Sequence, residues 1–413
     1  MNKADSERLE SALDKLGMES RNNPQSADLI VLNSCVVRQS AEDKVTGMLT
    51  SLKPIKNSND DRVIALMGCM VGPNSDSLKS KFPYVDVFMR PQEYEPLIDF
   101  LGEKFGIQTE GCLSDLTSNR QDISTYVPII HGCDEFCSFC IIPYRRGRQK
   151  SRTIEDIAKE IGHLTKRGVK EITLLGQTVD AYGHDLQDPR DLSDLMLAIH
   201  DTEGLGRIRF LTSHPNYMSD KIIGSIADLP KVCEHINLPF QAGNDEVLMN
   251  MRRGYNSSQY RDLVKRIRDR IPNVSLATDV IVGFPGETES QFESTLAMIR
   301  DIEFDKVHIA AYSPRENTIA IRKMLDDVSA MDKKNRVREL EELQQGISDK
   351  INRQLLGRTL EVLVDRKVKD KWQGRTRNDK LVFVESQEDR LGQTLNVEIS
   401  KTGPWSLQGE LTS

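Results

Sequence analysis

Between residues 4 and 105 the apolar positions fall into two alternating patterns. In DSERLESALDKLGM, Leu9, Leu13 and Leu16 recur at helical spacing and predict an amphipathic helix. ADLIVLNSC is instead a continuous apolar run, a strand ending at Asn33-Ser34-Cys35, and a second helix is expected from about Ala41. VIALMGCM repeats the arrangement, and VDVFM with the helix EYEPLIDFLGEKFG completes the set. Continuous apolar strands separated by helices predict a parallel sheet covered on both faces, a doubly wound α/β domain. Such a domain ordinarily opens on a strand. This chain opens on the helix, so a first strand is expected to be missing.

From Tyr126 the alternation restarts more regularly. YVPIIHG, EITLLG, RIRFLTS, HINLPF, SLATDVIVGF and DKVHIAAY read as strands, with helical stretches such as TIEDIAKEIGHLTKRG and TESQFESTLAMIRDIEF between them. Six such repeats in roughly 190 residues predict a partial (βα)6 barrel, since a complete eight-fold barrel takes about 250. The loops after the strands are the unusual ones (GCDEFCSFC, GQTVDAY, SHP, QAGND, GFPGET, SPREN), at the end where βα barrels carry their chemistry. A charged helix follows, with Val337, Leu340, Leu343, Ile347, Ile351 and Leu355 at helical spacing. Beyond Arg358, five short β-like runs separated by turn residues predict a small five-stranded β-barrel. The expected domains are 1–118, 125–350 and 352–413.

Composition narrows this picture. A chain of 413 residues with 38% hydrophobic and 29% charged residues is ordinary for a globular protein of two or three domains. No run of about 18 apolar residues is present and the N-terminus is polar, so no membrane span or signal peptide is expected and the cytoplasm is the expected location. A net charge of −7 argues against unspecific nucleic-acid binding by the whole chain. Residues 351–413 hold 11 Lys/Arg against 9 Asp/Glu and the rest 45 against 54, so the tail is the least acidic part, a small bias toward RNA contact. Seven cysteines are too few and too scattered for a disulfide framework, and clustered thiols in a reducing compartment point to metal.

The cluster lies in HGCDEFCSFCIIPYRRGR, where Cys133, Cys137 and Cys140 fall within eight positions. A structural zinc site takes four ligands, and here no second Cys-x-x-Cys pair follows; His131 is a fourth candidate on the strand side of the loop. A 4Fe-4S cluster fits three thiolates if one iron stays open for another molecule. Zinc and iron–sulfur both remain readings of the spacing, with the barrel position favouring the cluster.

Cys-x-x-x-Cys-x-x-Cys in the first loop of a partial barrel resembles the radical S-adenosylmethionine (SAM) superfamily. NSCVVRQSAEDKV, GCDEFCSFCIIPYRRGRQKSR, LLGQTVDAY, LPFQAGNDEVL, MRRGY and DVIVGFPGET resemble the methylthiotransferases, and the β-rich tail is similar to a TRAM domain, an RNA-binding barrel. The likeness runs through almost the whole chain in order. It is nearest to the branch acting on N(6)-dimethylallyladenosine in tRNA; branches acting on threonylcarbamoyl-adenosine or on a ribosomal-protein aspartate are the alternatives. The non-enzymatic alternative is an RNA-binding protein with a structural zinc loop.

The resemblance implies two 4Fe-4S clusters. One sits on Cys133, Cys137 and Cys140 and holds SAM on its open iron, whose reductive cleavage gives a radical that takes the hydrogen from carbon 2 of the adenine. The other, auxiliary, sits on three cysteines of the N-terminal domain, of which Cys35 and Cys69 match two; by themselves these two read as small buried residues. The third belongs in a Gly-Cys-Gln-Met-Asn segment, and this chain begins at Met1-Asn2, so an N-terminally truncated sequence is expected. A second SAM supplies the methyl group, and a flavodoxin or ferredoxin type electron donor, a tRNA partner and a monomeric enzyme are expected. Gly176 and Gln177 either line SAM or form a plain strand-to-helix turn. Ser213, with His214 and Pro215, Gln241 and Asp279 either face SAM or are satisfied buried polar groups. Gly283-Phe-Pro-Gly286 reads as a rigid turn. Arg145, Arg146 and Arg148, with Lys150 and Arg152, are candidates for tRNA phosphate contact, or else a solvated face. Arg375, Arg377 and Trp372 are candidates in the tail, Trp372 being equally a core residue. Asn317 stands where the family often has glycine, and Cys112 and Cys233 read as structural.

Overall fold

The structure, a computed structural model, describes residues 1–36, 39–114, 116, 122–188 and 190–412. Val37 and Arg38 of the NSCVVRQSAEDKV stretch and the boundary expected at 118 lie outside the described residues. The chain forms two compact units: Met1–Arg120 with His131–Asp134 and Cys140–Gln149, and Gln121–Ile130 with Glu135–Phe139 and Lys150–Ser413.

In the first unit, β1 (Leu29–Ser34), β2 (Val63–Gly68) and β3 (Val87–Met89) form a parallel sheet in the order β1-β2-β3. Every residue of β2 is buried, so its two faces must both be covered. Ile64 and Leu66 pack against Val45, Leu49 and Leu52 of α2 (Gln39–Asn57). Val63, Ala65 and Met67, on the other face, pack against Leu9 of α1 (Asn2–Lys15) and Leu97 and Leu101 of α3 (Glu95–Phe105). The continuous apolar run thus splits by strand alternation into two cores, as expected from the sequence. The strand order is consecutive among the described strands.

In the second unit, six parallel strands follow the expected segments: β4 (Ser124–Pro128), β5 (Glu171–Leu175) and β6 (Arg207–Leu211), then β7 (His235–Asn237), β8 (Ser275–Val282) and β9 (Lys306–Ala311). β4 and β6 flank β5, β7 and β9 flank β8, and a single parallel bridge from Ile208 to Val232 links the two halves. The intervening helices start where side-chain oxygens satisfy their first N–H groups: Thr153, Asp191, Ser219, Asn256 and Thr288 all accept from the third residue on. Their inward faces join one continuous apolar core, including the stacked rings of Phe240 and Phe304. The long helix Ala330–Arg353 packs Leu340 and Ile347 into the same core.

The tail closes as expected into a barrel of β10 (Thr359–Val368), β11 (Lys371–Thr376), β12 (Leu381–Glu385), β13 (Thr394–Thr402) and β14 (Leu407–Leu411), in the order β10-β11-β12-β14-β13. Val362, Val382, Val384, Val397, Ile399 and Leu407 fill it. The turn after β11 meets the amino-terminal ends of the core strands. Arg207 donates to the Arg375 carbonyl at 2.7 Å and pairs with Glu361 at 2.7 Å. Arg209 donates to the Thr376 and Arg377 carbonyls at 2.6 and 2.7 Å and pairs with Glu171 at 2.8 Å. The residues before β7, β8 and β9 take part too: Glu234 pairs with Arg377 at 2.7 Å, the Asn273 carbonyl accepts from Asn378 at 2.6 Å, and Asp305 pairs with Lys380 at 2.6 Å.

Candidate functional site

The carboxyl ends of the core strands carry the unusual chemistry. Thr212, just past β6, and Gln241, past β7, have φ of 69° and 70°, left-handed conformations that cost a non-glycine residue on the order of 1–3 kcal/mol. They are kept by ladder-like hydrogen bonds: Val179 N–H to the Thr212 carbonyl at 2.8 Å, and Gln241 N–H to the Asp279 carbonyl at 2.9 Å. Ser213 and Asn237 are joined by a backbone hydrogen bond of 3.0 Å. The side-chain atoms Ser213 Oγ, Asn237 Nδ2 and Gln241 Oε1 are buried with no hydrogen-bond partner in the protein. Buried polar groups are ordinarily paired, so three orphans at neighbouring strand ends mark a place for a polar ligand. Sequence reasoning passes over Asn237, the polar residue in the middle of the HINLPF run; it is the last residue of β7, with Gln241 four positions beyond.

The other residues expected here differ. Gly176 is accounted for by packing, since a β-carbon there would lie 2.2 Å from Ile130 Cγ2. Gln177 is half-buried beside it. Asp279 pairs with His308 at 2.9 Å, so its carboxylate is already engaged.

Around the cysteine loop, Glu135 accepts from the Tyr217 hydroxyl, and its other oxygen lies 3.5 Å from His214 Nε2. Burial, with Arg253 adding to it, pushes the His214 imidazole down to about 2, so it stays neutral. Its backbone N–H donates to both oxygens of Asp180, at 2.9 and 3.0 Å, and burial raises that carboxyl well above its ordinary range. Ser138 N–H and Oγ donate to the Met251 and Asn250 carbonyls at 3.0 and 2.7 Å, and Arg253 donates to Cys137 Sγ at 3.3 Å. Glu135, Tyr217 and Arg253 belong to quoted motifs or their neighbours, but nothing in their spacing gave them a role.

In the first unit, Cys133 and Cys140 lie in the apolar cluster that also holds Cys69, and Cys133 N–H donates to the Gly147 carbonyl at 3.2 Å. Parallel register pairs Ser34 with Gly68, so Cys35 and Cys69 follow at adjacent strand ends. Cys69 N–H donates to the Ser34 carbonyl at 3.1 Å. Gly68 makes this possible: its φ is 104°, and a β-carbon would lie 2.5 Å from the Ser34 carbonyl. Burial pushes the Cys69 thiol up, and the adjacent Arg146 guanidinium opposes that shift. The structure therefore brings Cys35 and Cys69 together. None of the seven cysteines is in a disulfide. Among the described residues, no three Cys, His, Asp or Glu side chains are closed into a metal-ligating set.

The expected tRNA-binding arginines divide. Arg146 is a correction: its side chain is 3% exposed, paired with Asp5 at 2.9 Å and bonded to Asn2 at 2.9 Å, so it presents no surface to a phosphate. Arg145 is half-buried, its guanidinium close to Gly72. Arg148 is exposed and pairs with Asp134 at 2.8 Å. Arg152 pairs with Glu160 at 2.6 Å, while Lys150 is exposed. In the tail, Arg377, on the turn that meets the core, is held by Glu234 at 2.7 Å, and Arg375, near the end of β11, by Asp379 at 3.1 Å. Trp372 is buried with its Nε1–H on the Ser386 carbonyl at 3.3 Å, whereas Trp405 is 60% exposed.

The donor chemistry fits the cofactors implied by the resemblance: three thiols in one loop suit an iron–sulfur cluster, and the orphaned hydroxyl and amide groups suit a polar ligand. No helix among the described residues is long and apolar enough to cross a membrane.

Comparison with known proteins agrees along the whole chain. The radical SAM superfamily matches residues 127–299, uncharacterized protein family UPF0004 matches 1–90, and the TRAM domain matches 353–412. The tRNA-2-methylthio-N(6)-dimethylallyladenosine synthase of Herpetosiphon aurantiacus is 48% identical over 415 residues, covering 100% of this chain and 95% of the relative. Its namesake from Dehalococcoides mccartyi is 46% identical over 413 residues, covering 100% and 96%. Among solved structures, the radical S-adenosylmethionine methyltransferase TsrM from Kitasatospora setae, with cobalamin and a 4Fe-4S cluster bound, superposes with a TM-score of 0.56 at 14% identity, over 76% of this chain and 73% of that one. The cobalamin-dependent S-adenosylmethionine radical enzyme OxsB gives 0.53 at 12%, over 83% and 53%. These two likenesses show the fold. A radical SAM domain implies SAM and a 4Fe-4S cluster as cofactors. With near-half identity over its full length, the chain belongs to the radical SAM family of the tRNA-2-methylthio-N(6)-dimethylallyladenosine synthases.

Proposed function

We propose that this protein adds a methylthio group to carbon 2 of N(6)-dimethylallyladenosine next to the anticodon of tRNA. The observation that carries the reading is the three-thiol loop following the first core strand, in a chain 46% identical along its whole length to a relative named for that reaction. Cys133, Cys137 and Cys140 would hold the 4Fe-4S cluster; eight residues of chain keep the three sulfurs within reach of one small group. With SAM bound, that group supplies the one-electron chemistry that activates a carbon–hydrogen bond.

The remaining work falls to the protein's own side chains. Ser213, Asn237 and Gln241 offer their unpaired atoms to the polar part of SAM, which would satisfy them. Neutral His214 and the Asp180 carboxyl, which burial shifts toward its neutral form, give this end of the barrel polar groups. Cys35 and Cys69 would hold an auxiliary cluster together with a further ligand, and the Arg146 cation beside Cys69 favours its thiolate. The target adenine must leave its stack to reach such a site. Exposed Trp405 offers the tail barrel a ring for base stacking, and Arg148 and Lys150 offer charge to phosphate. Electrons would come from a flavodoxin or ferredoxin type donor.

The test is nucleoside mass spectrometry of tRNA incubated with anaerobically reconstituted protein, SAM and reductant. Conversion of N(6)-dimethylallyladenosine to its 2-methylthio form is expected, and loss of conversion in C137A. Conversion of threonylcarbamoyl-adenosine alone, or of neither nucleoside, overturns the assignment.

A further inference from the structure

Among the described residues, the deeply buried Arg253 pairs with no carboxylate. It is 4% exposed, and it appears in none of the ion pairs among the described residues. Arg207, Arg209 and Arg336, equally buried, each face a carboxylate at 2.7 to 2.8 Å. Arg253 instead donates Nε–H to the Tyr255 hydroxyl at 3.1 Å, Nη2–H to the Pro239 carbonyl at 3.0 Å and Nη1–H to Cys137 Sγ at 3.3 Å. Its guanidinium lies 5.4 Å from the centre of the Tyr255 ring. Asp180 is within electrostatic reach, but burial favours its neutral form. A buried cation without a counter-charge is costly, and here the sulfur is the group able to supply one.

The same turn grips the cysteine loop a second time. Ser138, next to Cys137, is fully buried, and its N–H and Oγ bond to the Met251 and Asn250 carbonyls at 3.0 and 2.7 Å. Arg252 holds φ of 59° to turn the chain there, and Arg253 N–H is tied to the Leu248 carbonyl at 3.0 Å. A strained turn that pins the backbone beside Cys137 and also aims a cation at its sulfur is shaped around that sulfur.

We propose that the Met251–Gly254 turn is a positioning element of the cofactor site, in which Arg253 donates a hydrogen bond to the sulfur of Cys137 and raises the reduction potential of the cluster that Cys137 holds. This rests on the reading of Cys137 as a cluster ligand. Reduction adds negative charge to the cluster, and a donor on a ligand sulfur stabilises the more negative state. The residue acts through the ligand rather than on substrate.

The experiment is a redox titration of anaerobically reconstituted full-length protein with SAM, following the SAM-dependent electron paramagnetic resonance signal, with iron and sulfide counted in each sample. In R253Q the midpoint is expected to fall by an amount equal to about a tenfold loss in the reduction equilibrium, about 59 mV for one electron. R253K, which keeps the cation, is expected to recover part of it. An unchanged midpoint in R253Q at wild-type iron content overturns the proposal. Should R253Q fail to load iron, Y255F decides: a smaller fall in midpoint supports the proposal and no change overturns it. Persistence of the SAM-dependent signal in C137A would instead overturn the ligand assignment, a separate result from the effect of Arg253.

Discussion

At the scale of single residues, position in the fold decides what a side chain can do. Gly68 is the clearest case, because its positive φ and its close approach to Ser34 let Cys35 and Cys69 end adjacent strands side by side. G68A must relieve both the strain and the 2.5 Å contact, so it is expected to destabilise the N-terminal unit by about 1–3 kcal/mol, read by denaturant unfolding. His235 is a second case. Burial pushes its imidazole from the ordinary 6.5 down to about 4, against the pull of Asp379. The folded protein holds it neutral while the unfolded chain takes the proton first. Its contribution to stability is therefore complete above 6.5 and is lost as pH falls toward 4, by at most about 1.4 kcal/mol per pH unit. Unfolding followed at pH 7 and pH 5 is expected to show a smaller loss on acidification in H235Q than in the wild type. Equal losses in the two would show that this histidine does not control the response.

At the scale of elements, the alternation of strand and helix follows local chemistry closely. The six core strands appear at the expected runs, and the helices between them begin at side-chain caps. Thr288 forms a reciprocal capping box with Gln291 at the start of Glu289–Ile302, and T288A is expected to cost about 1 kcal/mol in thermal or denaturant unfolding. The basic run was harder to read. Its five cations look alike in sequence, but Arg146 and Arg152 are spent on Asp5 and Glu160, and only the fold shows which charges face water. The two tryptophans behave similarly: Trp372 alternates into the tail barrel's interior and Trp405 lies on an exposed turn. W405A is expected to weaken tRNA binding in a filter-binding titration while leaving unfolding unchanged, and equal affinity would remove this ring from the RNA surface.

At the scale of the whole second unit, the tail barrel is docked on the core. The Arg375–Lys380 turn meets the amino-terminal ends of the core strands, the end where a βα barrel carries stability rather than chemistry. Arg377 therefore fastens the tail to the core through Glu234, while Arg375 gives its carbonyl to that contact and pairs its side chain with Asp379. R377E places a carboxylate against Glu234 and is expected to lower stability by about 2 kcal/mol, with a compensating E234R recovering part of it; additive losses in the double variant would show that the two side chains are not coupled.

The sequence by itself determined the order of elements, the closed tail barrel and the three-thiol loop. Each depends on spacing along the chain: period two or 3.6 for the elements, and eight covalently linked positions for the thiols. Tertiary structure decided what depends on neighbours distant in sequence. It placed Cys35 beside Cys69 through strand register, left Ser213, Asn237 and Gln241 with unpaired atoms, and brought Arg253 across more than a hundred residues to Cys137. Burial and pairing are properties of the packed chain, so no local pattern announces them.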